Sequence, residues 1–416
     1  MKRTLLTGNG AAAWGARLAA IEYIPAFPIT PQTEILETLA YWVDNGDLDA
    51  RLVMLESEHS MITAAGSSAA TGVRTFTATS SQGLLHGMEI IYTVTGWRVP
   101  FVMVNVSRGL AAPLTLESDH NDIMAVRDAG CLQLHCATCQ EVLDSILMAY
   151  RLAEHPEIRL PVIVNLDGFY LSYTREPVAI PDREASRTFV GEFDPISINF
   201  KAGVPLSLAS VVLGGSAYSY FRYSQHLAAQ RGLSVYEEIA GEFARAFGRS
   251  HDVVEGYRHE DAEYLFLMIG SFATKGKEAV DSLRAADWKI GLIRPHMFRP
   301  FPAERIYALA RGKKAIGVID QNISMGKGGV LHTELASALY GKPGAPKVLA
   351  SFIGGLGGRD LPLEEFFEIA ETLRNSASDG VSPPPRLLYT EKEMLEMRKL
   401  QAIAGVHVPF EEVRHD

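Results

Sequence analysis

The stretch Val99 to Val106, VPFVMVNV, is apolar and rich in β-branched residues along its length, with no alternation that would leave one face wet. A strand of that kind needs cover on both faces, which is what helices flanking a parallel sheet provide. The same order of strand, polar or small residues, then helical periodicity recurs at Leu52 to Gly72 and at Arg74 to Trp97. It continues through helices at Asn121 to Asp128 and Gln140 to Glu154 and a strand at Val162 to Leu166. This alternation predicts an α/β fold with a doubly wound parallel sheet. Ligands of such sheets bind in the crevice at the carboxyl ends of the strands. Glu58, just past the apolar run Leu52 to Leu55, is therefore the first residue to test, and Ser107-Arg108-Gly109 stands at the carboxyl end of Val99 to Val106.

The rest of the chain divides around this pattern. Lys2 to Thr7 reads as a short edge-like strand, followed by Gly8-Asn9-Gly10 and a helix from Ala11 to Tyr23. Gly8, Gly10 and Ala13 match G-x-G-x-x-A, which serves either as a pyrophosphate cradle or as a tight turn with small residues for helix packing. Phe27-Pro28-Ile29-Thr30-Pro31 is held extended by its prolines before a helix from Gln32 to Trp42, so Thr30 is either a rigidly presented hydroxyl or a helix cap. The Glu58 helix is capped by Ser57 or Ser60, and Gly66 to Ala70 lets another helix or another chain approach closely. In that position Glu58 also suits the helix dipole.

From Glu176 to about Ser210 the periodicity fades into a wrapping connection, and helical sequence resumes at Tyr218 to Gly248. A second α/β unit starts near Ala262, with strands at Tyr264 to Ile269, Ile290 to Arg294, Ala315 to Asp320 and Val348 to Ile353. Its glycine-rich loops, Met325 to Gly329 and Gly354 to Asp360, suit turns, subunit contacts or a phosphate. Ser382-Pro383-Pro384-Pro385 is a linker, and Glu391 to Ala404 is an amphipathic terminal helix stopped by Gly405.

The chain has 416 residues, 47% of them apolar, enough for two or three cores. Its net charge of -10 argues against a nucleic-acid surface. No apolar run reaches the roughly 18 residues of a membrane span, and MKRTLLTGNG has no secretory h-region. Three cysteines fit a reducing compartment, so the expected location is cytoplasmic.

Taken together, FPITP at 27–31, ESEHS at 56–60, TATSSQGL at 77–84, SRGLAAP at 107–113 and DHND at 119–122 resemble, in order and spacing, the α subunit of the 2-oxoacid:ferredoxin oxidoreductases. NLDGFYLSYTREPV, FRYSQH, FRPFP and IGGLGGRD extend the resemblance over nearly the whole chain. It implies a thiamine diphosphate- and coenzyme A-dependent subunit that oxidatively decarboxylates a 2-oxo acid to acyl-CoA and CO2. Electrons would pass to iron-sulfur clusters in β-, γ- and δ-type partner subunits, in a hetero-oligomer that dimerises as a whole. It also implies a pyrimidine-binding-type domain over residues 1–250, a transketolase C-terminal-like domain over 251–380, and a linker with terminal helix over 381–416.

Carried over residue by residue, the resemblance makes Glu58 the carboxyl group that holds the N1' nitrogen of the cofactor. It makes Arg108 the grip on the substrate carboxylate, Thr30 its hydrogen-bonding neighbour, and Ser81 and Gln82 cofactor contacts. Without the family, Arg108 reads equally as a salt-bridge former. The usual Mg²⁺ and diphosphate cradle, Gly-Asp-Gly followed by Asn, has only Leu166-Asp167-Gly168 here, so the diphosphate and its Mg²⁺ are expected on a partner chain. The small residues after Glu58 are then expected to pack on that partner.

One stretch departs from the family. Where members acting on pyruvate or branched-chain oxo acids tend to show Asn-Ile-Trp-x-Asp-His, this chain has Thr115-Leu116-Glu117-Ser118-Asp119-His120. An aromatic 2-oxo acid such as phenylglyoxylate thereby joins pyruvate as a candidate. Asp119, His120 and Asp122 read as capping and hydrogen-bonding groups, since no further ligand spacing supports a metal. Cys131, Cys136 and Cys139 have the C-x4-C-x2-C spacing of plant-type ferredoxins but lack the fourth cysteine. Cys-Leu-Gln-Leu-His alternates like a strand, so buried thiols are expected. Two other classes stay in view: a self-contained NAD(P)-binding oxidoreductase built on Gly8 to Ala13, and a non-catalytic assembly subunit.

Overall fold

The computed structural model describes residues 2–193, 203, 207–208 and 210–405. The strand Val102–Ser107 is buried at every position, as its composition requires, and pairs in parallel with Phe76–Thr79 on one side and Val162–Asp167 on the other. Leu132–His135 extends the sheet in parallel beyond Val162–Asp167. A single parallel bridge, Tyr23 to Thr75, attaches the parallel pair Tyr23–Ala26 and Arg51–Met54 at the opposite edge. The segments that follow these strands, FPITP, ESEHS, SSQG and RG, therefore all leave from one edge of one layer.

The second sheet is ordered Arg386–Leu387, Val348–Ile353, Ala315–Asp320, Tyr264–Leu267, Ile290–Pro295 and Val254–Tyr257. Only the last strand is antiparallel. Alternation along its strands divides the core. Leu265, Leu267, Ile316 and Val318 face the layer shared with the first sheet, while Phe266, Met268 and Phe352 face the helices Phe272–Ala285 and Leu363–Asp379. The short strand Met297–Arg299, just past Ile290–Pro295, crosses to the first sheet and pairs antiparallel with Leu132–His135.

Several expectations shift. The first helix is Gly8–Leu18, not Ala11 to Tyr23, and Tyr23 opens a strand. The wrapping connection contains a strand, Glu176–Ile180, and a helix, Arg183–Val190, capped by Asp182; most of its later part lies outside the described residues. Helical sequence from Ser80 to Trp97 is two helices, Ser81–His86 and Met88–Gly96. The terminal helix Glu391–Ile403 starts with a full capping box at Thr390 and Glu393 and buries none of its residues.

The dinucleotide reading of Gly8 to Ala13 fails on geometry. Among the described residues Lys2–Leu6 pairs only antiparallel, with Glu176–Ile180, so no parallel strand feeds the helix. The helix N-terminus is closed as well: the Gly8 and Asn9 amides donate to Leu171 and Ser172 carbonyls at 3.1 and 3.2 Å, and the Gly10 amide to Thr7 Oγ1 at 2.9 Å. Glycine is needed at position 8 because a Cβ would lie 2.6 Å from the Leu171 carbonyl oxygen.

Candidate active site

Ser57 caps the helix Glu58–Ala70 through its side chain, which accepts from the Ser60 amide, and this sets Glu58 as the first helical residue. Glu58 is buried to 6% exposure, and its Oε2 lies 3.2 Å from Nδ1 of the half-exposed His86. Its other oxygen lies over Gly83, where a Cβ would come within 2.5 Å of Glu58 Oε1 and 2.6 Å of Thr79 Oγ1. Part of the small face expected to receive a partner is filled from within, while Ser67 is exposed. Gly66, Ala69 and Ala70 are buried, and Gly66 abuts Val94 of the helix Met88–Gly96. The close approach read from the sequence is thus one between helices of this chain.

Ser81 sits at φ 47, a region that a non-glycine residue adopts only when its surroundings hold it there. Three bonds do so. Its amide donates to Asp122 Oδ2 at 3.0 Å, and its hydroxyl lies 2.9 Å from the Gly109 carbonyl and 2.6 Å from Gln82 Oε1. Gln82 Oε1 also accepts from Arg108 Nη2 at 2.6 Å, while Arg108 Nη1 donates to the Thr30 carbonyl at 2.7 Å. The structure thus gathers Thr30, Ser81, Gln82 and Arg108 into one hydrogen-bonded group, with Glu58 adjacent across Gly83. Thr30 joins through its backbone rather than as a cap: the helix Thr33–Asp44 is preceded by Gln32, and the Thr30 side chain is exposed.

Behind this group stands a buried polar network. Asp122 accepts from Asn105 Nδ2 at 3.1 Å, from Ser107 Oγ at 2.9 Å and from the Arg108 amide at 3.3 Å. Burial pushes Asp122 above the usual carboxylate range, and burial likewise opposes the Arg108 charge while Asp122 supports it. Asp119 Oδ1 accepts from the Asn121 amide at 3.0 Å and Asp122 Oδ1 from the Ile123 amide at 2.7 Å, so these acids hydrogen-bond as expected, whereas the helix Asn121–Ala125 has no side-chain cap. His120 and Asp167 form an ion pair of 2.6 Å, and Asp167 also accepts from Ser271. Asp167 of Leu166-Asp167-Gly168 is therefore consumed internally, away from any diphosphate cradle.

Four buried polar atoms at the site have no hydrogen-bond partner among the described residues: Thr79 Oγ1, Ser80 Oγ, Gln82 Nε2 and Arg108 Nε. Buried polar groups are rarely left unpaired without a ligand or water to meet them. They belong to the segment Thr79–Gln82 and to Arg108, with Thr79 Oγ1 near the buried Glu58 carboxyl group, a donor and acceptor set suited to a polar heteroaromatic ring and a carboxylate. Cys131, Cys136 and Cys139 are free and buried, and burial pushes all three thiols up. Cys139 Sγ lies 3.5 Å from the Thr174 carbonyl and Cys136 Sγ 3.5 Å from Ser145 Oγ, so both are packed as small side chains. Thr79 and Ser80 lie inside the TATSSQGL run, which does not single them out, and His86 carries no sign in the sequence of its place at the site.

These features define an α/β protein whose candidate site lies at the carboxyl edge of a parallel sheet, with a second sheet packed behind it. Known structures share that layout. A 2-oxoglutarate:ferredoxin oxidoreductase from Magnetococcus marinus, solved with 2-oxoglutarate, coenzyme A and succinyl-CoA bound, superposes with a TM-score of 0.69 at 18% identity, covering 90% of this chain and 65% of that one. A split-gene transketolase gives 0.51 at 13% identity, over 88% of this chain and 96% of that one.

Sequence comparison sharpens the class. Residues 14–238 match the thiamine diphosphate-binding domain of the pyruvate flavodoxin/ferredoxin oxidoreductases, and residues 262–366 match core domain II of pyruvate:ferredoxin oxidoreductase. Pyruvate synthase subunit PorA of Pyrococcus furiosus is 41% identical over 378 residues, covering 91% of this chain and 95% of its own. Subunit PorA of Thermotoga maritima is 39% identical, over 96% and 99%. Ketoisovalerate oxidoreductase subunit VorA of Pyrococcus horikoshii is 36% identical, over 91% and 95%. The chain belongs to the 2-oxoacid:ferredoxin oxidoreductase family, as an α-type subunit.

Proposed function

We propose that this subunit contributes the pyrimidine side of a thiamine diphosphate site and the carboxylate grip for a 2-oxo acid, in a complex that forms acyl-CoA and CO2. The observation that carries the reading is the convergence of Glu58, Gln82, Arg108 and Thr30 at one sheet edge, with unpaired buried polar atoms on Gln82, Arg108 and the adjoining Thr79 and Ser80. Thiamine diphosphate, when bound, supplies the nucleophilic carbon and the electron sink for decarboxylation. Glu58 hydrogen-bonds the pyrimidine ring nitrogen from a site shielded from water, and the Gln82 amide and the Thr79 and Ser80 hydroxyls orient the ring. Gly83, having no side chain, lets the Glu58 carboxyl group lie against the start of the helix Ser81–His86, close to Gln82.

Arg108, fastened at both Nη atoms, presents its remaining donors to the substrate carboxylate in a fixed plane. Such preorganisation keeps the reacting carbon aligned without reorganising the site. The diphosphate and its Mg²⁺ fall to a β-type partner subunit, and the iron-sulfur clusters to β-, γ- and δ-type partners in the same cytoplasmic assembly. Residues 1–250, 251–380 and 381–416 serve as pyrimidine-binding-type domain, transketolase C-terminal-like domain and terminal arm.

Pyruvate is the leading substrate, from the names of the relatives at 38–41% identity. An aromatic 2-oxo acid such as phenylglyoxylate is the second reading, favoured by the exposed Leu114 and Leu116 in the loop that follows Arg108 in the chain and by the missing tryptophan. Turnover of the purified complex on a panel of 2-oxo acids decides between them. Glu58→Gln is the test of the cofactor role: the complex assembles but loses exchange of the thiazolium C2 proton with solvent deuterium. Wild-type exchange in that variant would refute it.

A further inference from the structure

The carboxyl edge of the second sheet is, by the same rule that located the first site, where a ligand of that unit would bind. In this chain that edge is already filled, by the first unit. Asp167, which ends the strand Val162–Asp167, accepts from the Ser271 amide at 2.7 Å and from the Ser271 hydroxyl, at the start of the fourteen-residue helix Phe272–Ala285. Gly270, at φ 68, leaves room for it: a Cβ there would lie 2.8 Å from Asp167 Oδ2 and 3.0 Å from the His120 ring. An internal carboxylate thus occupies the place of an anion at a helix N-terminus.

The neighbouring strand ends are taken the same way. Past Ala315–Asp320, the Gln321 carbonyl accepts from the His120 amide at 2.8 Å and the Ile323 amide donates to Asn121 Oδ1 at 3.0 Å. Past Val348–Ile353, the Gly357 amide donates to Asp119 Oδ2 at 3.3 Å and the Gly358 amide to the Ser118 carbonyl at 2.7 Å. The segment Ser118–Asp122 therefore has the second unit on one side. On its other side Asp122 holds the Ser81 and Arg108 amides, and the adjoining Glu117 carbonyl accepts from the Gly109 amide at 3.0 Å.

We propose that the second unit is a clamp for the substrate grip: Asp167 fills its ligand crevice, and the buried pair His120–Asp167 with Ser271 positions Ser118–Asp122 and so sets Arg108. This rests on the reading of Arg108 given above. Asp167 and His120 are positioning residues, since their side chains bond each other, Ser118 and Ser271 and not Glu58, Gln82 or Arg108. Burial pushes Asp167 up, but His120 and the Ser271 bonds hold it below the usual carboxylate range, as expected of a pair that stays charged.

The test uses the assembled complex with Ser271→Ala and Asp167→Asn, the former removing one hydroxyl and so folding even where the latter does not. Steady-state constants for the 2-oxo acid and for CoA are measured beside amide hydrogen exchange of the peptide covering 108–123. The expected result for Ser271→Ala is faster exchange in that peptide and a 2-oxo acid KM raised about fivefold to tenfold, about 1 kcal/mol. The kcat and the CoA KM stay within twofold, and Ser271→Thr restores all values. Unchanged exchange in folded variants would overturn the clamp. Faster exchange with an unchanged 2-oxo acid KM would overturn its link to substrate, provided Arg108→Lys raises that KM. If Arg108→Lys leaves KM unchanged while exchange rises, the grip reading fails and the clamp stands.

Discussion

Gly83→Ala isolates the contact between Glu58 and its surroundings without changing any charge. The added methyl would stand 2.5 Å from Glu58 Oε1, 2.6 Å from Thr79 Oγ1 and 2.9 Å from Glu58 Cδ. Ordinary contact starts at 3.4 Å, so the carboxyl group must retreat by about 0.9 Å. Glu58 is buried at a capped helix start with its other oxygen on His86, and Thr79 lies on a fully buried strand, which limits how far either can yield. Overpacking of this kind costs about 1–3 kcal/mol of stability. A misplacement near 1 Å costs about a hundredfold in rate where geometry governs catalysis. The expected outcome is a folded subunit with a lower Tm whose complex turns over about 30- to 100-fold more slowly at saturating 2-oxo acid, CoA and thiamine diphosphate. Gly96→Ala is the control: nothing lies within 4 Å of its Cβ, so activity is retained and helix stability is unchanged or rises by about 0.5–1 kcal/mol. A Gly83→Ala complex with wild-type Tm and turnover within twofold would refute the claim that Glu58 works in a space only glycine leaves open.

Arg108→Lys keeps the charge but loses the planar fork that bonds the Thr30 carbonyl and Gln82 together, so the 2-oxo acid KM rises about tenfold or more; an unchanged value makes Arg108 structural. Acid sensitivity follows from two groups. Burial lowers His296 to about 4, so the stability gained by keeping it neutral is full above about pH 6.5 and is lost as pH falls toward 4. Burial pushes Glu141 up, but Arg294, His296 and the Ala137 amide bring it down to about 2. Its contribution, roughly 3 kcal/mol, is full above about pH 4.5 and lost as pH falls toward 2. Urea midpoints of Glu141→Gln lose the dependence below pH 4.5; a variant that tracks the wild type there contradicts the pairing with Arg294. Native Cys131, Cys136 and Cys139 resist a thiol reagent that labels all three in the unfolded chain, and rapid native labelling of any would show that it is not packed as the structure has it.

The legible parts of the fold are those where local chemistry and tertiary context agree. Val102–Ser107 reads as a buried parallel strand because no other element tolerates that run, and Ser57 reads as a cap because its side chain has a nearby amide to accept from. Met297–Arg299 is invisible in the sequence because three residues carry no periodicity; it is a strand only through its partner Leu132–His135. The break at Gly87 between two helices and the helix behind Asp182 are hidden by context of the same kind. The candidate site follows the same division. The resemblance proposes Glu58, Thr30, Ser81, Gln82 and Arg108 one at a time, but the bonds joining them span 26 and 78 positions in the chain, which no spacing discloses. His86, 28 positions from Glu58 and half exposed, carries no local sign of its contact.

The crossing strand Met297–Arg299 has a consequence for handling the protein. Leu132–His135 is fully buried, and among the described residues the only cover on its outer side from another strand is those three residues of the second unit. A fragment ending before them would expose an open, apolar sheet edge, the kind that templates pairing with another chain. The two halves of this polypeptide are therefore not separable cassettes, and the first half expressed alone should be sought in the aggregated fraction.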